Sequence, residues 1–78
     1  MDIRKSREAV SCSRLELEAH SGVSRWRISL AESGYIQLRD EELAAIEEAL
    51  LRLNRERVMQ FQAAISGRSL DLAGRVSV

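Results

Sequence analysis

Arg25, Trp26 and Arg27 follow Ser24 directly, so two guanidiniums and an indole crowd the first turn of the helix that Ser24 can cap. A guanidinium is a planar fork of donors that pairs at two points with phosphate oxygens or with the O6 and N7 of guanine. The indole adds a broad apolar face with one N–H donor. This is contact chemistry rather than bond-breaking chemistry. A basic first turn, braced across a tight turn by another helix, is how small domains place side chains in a DNA major groove.

The elements that must position these residues are legible as helices. Ser13 and Glu16 form an S-x-x-E capping box that opens a second helix, which Gly22 closes after Ser21. Ser24 caps the third, whose apolar members are Trp26, Ile28, Leu30 and Ala31, and which stops at Ser33-Gly34. Upstream, Ile3, Arg7 and Val10 share a face of a first short helix over about 2–10, interrupted by Ser11-Cys12-Ser13. Downstream, a loop over 35–39 leads to Asp40-Glu41-Glu42, acids where a helix dipole favours them. Leu43, Ile46, Leu50, Leu53, Phe61 and Ile65 then recur at steps of three and four, with the seam drifting through Arg57 and Val58. The pattern fits one helix from Asp40 to Ser66, or two hinged near Asn54.

There is no proline, and no alternating strand pattern precedes the last few residues. The expected fold is therefore all-α: a small helical bundle containing a helix-turn-helix, with an extended C-terminal helix. Three segments are expected: a helix-turn-helix domain over 1–50, a helical extension over 51–66, and a loose tail over 67–78 that holds two glycines and no periodicity.

Composition sets the outer bounds. A chain of 78 residues makes one domain with a core barely large enough to fold alone, so help from a partner chain is plausible from the start. No apolar run approaches a membrane span, and the polar N-terminus does not read as a signal peptide. The single cysteine, Cys12, gives no intramolecular disulfide, fits a reducing cytoplasm, and reads as a small packing residue. Net charge is zero, yet residues 1–39 hold seven Lys/Arg against five acids and residues 40–78 five against seven. An anionic partner should meet the first half. Enzyme chemistry has no foothold: no nucleophile stands with a base, no metal constellation or Gly-rich phosphate loop is present, and no cofactor is called for. His20 has no ligand partner at metal spacing, and pairs such as Glu41/Glu42 and Glu47/Glu48 read as solvated helix faces.

Arg7, Ser13, Leu17, Gly22, Val23, Ile28, Glu32 and Gly34 stand at the joint spacing of the phage repressor and Cro-type (Xre-like) helix-turn-helix domain, which residues 3–50 resemble. Leu43, Ile46, Ala49 and Leu50 match that family's fourth helix. Two positions depart: Glu18 stands where the family usually has alanine, and Ala31 where it has a large apolar residue. The Glu18 stem could fill the space that Ala31 leaves.

The resemblance implies a sequence-specific regulator of transcription that binds double-stranded DNA, in the repressor sense, with the third helix in the groove. By family position Arg25, Trp26, Ser29 and Leu30 face base edges, while Arg14, Ser24 and Ser33 approach phosphates. Arg27, Gln37 and Arg39 complete the expected DNA-contacting set. Trp26 belongs to it rather than to the core because Ile28 and Ala31 take the core positions. Arg7 and Glu32 match a family ion pair that clamps helix one to helix three and reads no bases. The long stripe through Leu50, Leu53, Val58, Phe61 and Ile65 implies a homodimer, since exposed stripes of that size usually mark an interface. The alternative is a helix-turn-helix scaffold used to bind another protein without DNA, with the C-terminal helix or tail as the docking element.

Overall fold

In the computed structural model the backbone of residues 1–77 and the side chains of residues 1–66 are described. Four helices follow in order: α1 (Ile3–Ala9), α2 (Arg14–Ser21), α3 (Arg25–Glu32) and α4 (Asp40–Ser77). No strand occurs among the described residues, and no helix there is long and apolar enough to cross a membrane.

Each boundary has a local cause. The Asp2 carboxylate accepts the Lys5 N–H at 3.0 Å and opens α1. The helix ends at Val10, and Ser11 turns the chain through a left-handed φ of 56°. The capping box of α2 is complete: the Glu16 N–H donates to Ser13 Oγ at 3.0 Å and the Ser13 N–H to Glu16 Oε1 at 3.1 Å. Gly22 closes α2 at φ 76°, a left-handed conformation that costs a residue with a Cβ free energy. Ser24 Oγ accepts the Arg27 N–H to open α3, and the Arg39 N–H donates to Glu42 Oε1 to open α4.

The core forms where α1, α2, α3 and the first part of α4 meet. Leu17, Ile28 and Ile46 are fully buried at its centre, ringed by Ile3, Cys12, Val23, Leu38, Ala49, Leu50 and Leu53. Two expectations are corrected here. Leu50 and Leu53, expected in a dimer interface, are only 5% and 4% exposed and belong to the chain's own core. The reason is reach: Ile46, Ala49, Leu50 and Leu53 lie where the rest of the domain covers α4, whereas Val58, Phe61 and Ile65 lie further along the helix and stay exposed, as does Leu51 on its outward side. The second correction concerns continuity. Helix α4 passes Asn54 without a hinge and its backbone stays helical through Ser77, where a loose tail was expected from Gly67. The side chains of 67–78, and any partner contact expected of that tail, lie outside the described residues.

Arg57 marks where the domain lets go of α4. It follows Leu53 on the inward face, but its guanidinium donates to the Val10 carbonyl and to Glu16 Oε2, the latter at 2.6 Å. From there on, residues 58–66 are all exposed. Leu53→Ala should therefore lower stability by about 2–5 kcal/mol through a buried cavity. Denaturant unfolding at several protein concentrations checks it. A loss that depends on concentration would return Leu53 to an interface.

Candidate nucleic-acid interface

The α2–turn–α3 unit presents the first turn of α3 outward. Arg25, the first residue of the helix, is exposed and Trp26 is 70% exposed, while Ile28, on the side opposite Trp26, is fully buried. Ser29 and Leu30 are half-buried; Ser24, Ser33, Gln37 and Arg39 are exposed. The structure thus brings Arg25 and Trp26 together on the free side of α3, with Ser24 before them and the loop residues Gln37 and Arg39 beyond its C-terminal end.

Two arginines of the expected set are already engaged inside the protein. Arg27 turns to α4, where Nε donates to Glu42 Oε2 and Nη2 to Glu42 Oε1, each at 2.8 Å. Arg27, with the Arg39 backbone N–H, holds the Glu42 carboxyl down at about 2. Arg14 donates to Glu32 Oε1 through Nε at 3.1 Å and Nη2 at 2.9 Å, rather than standing free at the surface.

Glu32 is the hub of the domain. Its side chain is fully buried, and Arg7 clasps it through Nε at 3.0 Å and Nη2 at 3.2 Å. Arg7 also donates to the Cys12 carbonyl at 3.0 Å, and Arg4 approaches Glu32 at 3.6 Å. Burial pushes the Glu32 carboxyl up, but the hydrogen bonds from Arg7 and then Arg14 outweigh it, so its pKa lies below the usual carboxylate range. The pair expected from Arg7 and Glu32 is therefore a cluster that ties α1, α2 and α3 together. Its charges do not cancel: Arg4 and Arg14, at 50% and 39% side-chain exposure, leave a positive rim beside α3.

Glu18 has a role the sequence did not disclose. Its Oε2 accepts the Arg25 N–H at 2.6 Å. That hydrogen bond satisfies a free donor at the α3 N-terminus and fixes α2 to α3 across the turn. Its signal was its spacing of seven residues before the first residue of a capped helix, with an acid at a position where alanine was expected. Tyr35 was also missed: it is 79% exposed on the loop after α3, and its backbone N–H is held by the Leu30 carbonyl at 2.9 Å. Cys12 is buried and burial pushes its thiol up, as suits a packing residue rather than a nucleophile.

Compared with known families, residues 3–51, more than half of the chain, match the helix-turn-helix family. Comparison with curated proteins finds no match, and comparison with solved structures finds none.

The clamp and the α3–α4 pair respond differently to perturbation. Arg7→Ala leaves a buried carboxylate short of its main partner and should cost about 3–5 kcal/mol in thermal or denaturant unfolding. A shift of under about 1 kcal/mol would mean that Arg14 and Arg4 hold Glu32 unaided. Because folding lowers the Glu42 pKa, its contribution is present above the ordinary carboxyl range and is lost as pH falls towards about 2. The melting-temperature difference between wild type and Glu42→Gln should thus be steady between neutral pH and pH ~5, then shrink with further acidification. A difference that grows on acidification would overturn this assignment.

Proposed function

Because the chain belongs to this Xre-like helix-turn-helix family of DNA-binding transcription regulators, we propose that it binds a specific site in double-stranded DNA as a homodimer, with α3 in the major groove. The observation that carries this reading is the division of labour along α3. Ile28 and Arg27 lock the helix to the domain, while Arg25 and Trp26 are left exposed on its first turn. Exposing 70% of a tryptophan is costly for a small soluble domain unless a partner covers it.

In this arrangement Arg25 donates at two points to a guanine edge, and its backbone, held by Glu18, fixes the depth at which it enters the groove. Trp26, Ser29 and Leu30 line the same face, with Leu30 against a thymine methyl. Ser24, Ser33, Gln37 and Arg39 reach phosphates, and Tyr35 can donate its hydroxyl to the same backbone. Arg4 and Arg14 add positive potential from the rim of the Glu32 cluster and steer the duplex towards α3. Arg27 acts as a positioning residue through its pairing with Glu42. Repression is the regulatory sense proposed, since a domain seated over a promoter blocks access to it. Its place of action is the cytoplasm.

A fluorescence titration against the duplex upstream of its own gene, repeated over a salt series, tests the reading. Affinity should fall steeply with salt. Arg25→Ala should lose about 1–3 kcal/mol and relax preference at one base position per half-site. Trp26→Ala should abolish specific binding with little change in melting temperature. Unchanged binding and preference in Arg25→Ala would remove α3 from the groove. A wild-type protein that ignores duplex DNA even at low salt would favour the scaffold as a protein-binding module.

A further inference from the structure

A groove of about 430 Å³ runs between α1 and α4, lined by Met1, Ala9 and Val10 on one side and by Glu47, Leu50 and Leu51 on the other. It is open along the surface rather than enclosed, and Asn54 stands at its distal end. Beyond it the exposed apolar residues of α4 continue in the same register: from Leu51 and Asn54 the steps to Val58, Phe61 and Ile65 are four, three and four residues. Those are the steps of a seam that a second helix can follow. Val58, Phe61 and Ile65 are 45%, 66% and 47% exposed. One chain therefore carries both an unfilled apolar groove and, one to two turns further along the same helix face, a bare apolar ridge.

We propose that the groove is filled by the ridge of a second copy lying antiparallel along α4. This rests on the homodimer reading above and gives it a geometry. Centring the two-fold near residue 56 places the second copy's Phe61 opposite Leu51, its Val58 opposite Asn54 and its Ile65 beside Glu47. Steric exclusion sets the direction. A helix can enter the groove only where it is bare, and residues 58–66 are the described part of α4 in which every residue is exposed, past the last tether at Arg57. A parallel partner would instead bring its own residues 47–54 to the groove, and those already carry α1 and the core on them. The two domains would collide. Antiparallel pairing also satisfies the closed two-fold rule, because each copy offers its ridge and receives the other's in its groove.

Disulfide trapping tests the direction directly. In a Cys12→Ala background, Glu47→Cys and Ile65→Cys chains should cross-link to each other when mixed and oxidised, and neither should cross-link to itself. In the antiparallel pair, like positions lie about 27 Å apart along the axis, far beyond the Cα separation a disulfide tolerates. Self-cross-linking of either variant would show a parallel pair and overturn the proposal. So would a wild-type chain that sediments at single-chain mass at micromolar concentration. Phe61→Asp should halve the sedimenting mass while leaving the helical circular dichroism in place. The DNA reading fails separately: a dimer with the mixed cross-link that ignores duplex DNA would keep this pairing and sink only that reading.

Discussion

The buried carboxylate of Glu32 is the constraint around which the domain is organised. An ionised group with no solvent contact is tolerated only where donors replace the water it has lost. Here Arg7 approaches from α1 and Arg14 from the start of α2, while Glu32 itself ends α3. The electrostatic requirement of one side chain thereby sets the relative positions of three short helices, none long enough to be stable alone. The same cluster explains how so small a core suffices. Leu17, Ile28 and Ile46 supply the apolar centre, and the cluster adds polar ties between α1, α2 and α3.

A second set of charged contacts governs α3 in particular. Glu18 holds its first N–H and Arg27 ties its first turn to Glu42 on α4. Together with Glu32 at its far end, α3 is fastened at both termini and free along one face. The helix is thereby preorganised, and any partner that meets its free face has no ordering cost to offset there. Arg25 and Trp26 stay available because the neighbouring side chains have been recruited inward.

What the sequence disclosed follows the range of each interaction. The caps at Ser13, Gly22 and Ser24 were legible because cap and capped group lie within four residues, and local rules suffice. Arg7 with Glu32, 25 residues apart, was legible only through the resemblance. Arg14 with Glu32 and Arg27 with Glu42 lie 18 and 15 residues apart and carried no local mark, so both arginines were expected among the DNA contacts. The assignment of Leu50 and Leu53 failed for a geometric reason. Steps of three and four describe any helix face, and a run of apolar residues that changes from covered to bare looks continuous when written as a line. Arg57, interrupting that run, was the visible sign of the change.

Arg57 also divides the chain into two lengths that answer to different physical constraints. Up to Leu53, a substitution on the inward face of α4 is filtered by whether the domain folds at all. Past the contacts of Arg57 with Val10 and Glu16, the side chains of residues 58–66 are all exposed. Change there leaves the folded domain alone. The covered and the bare lengths of α4 can therefore vary independently, and one arginine marks the boundary between the two.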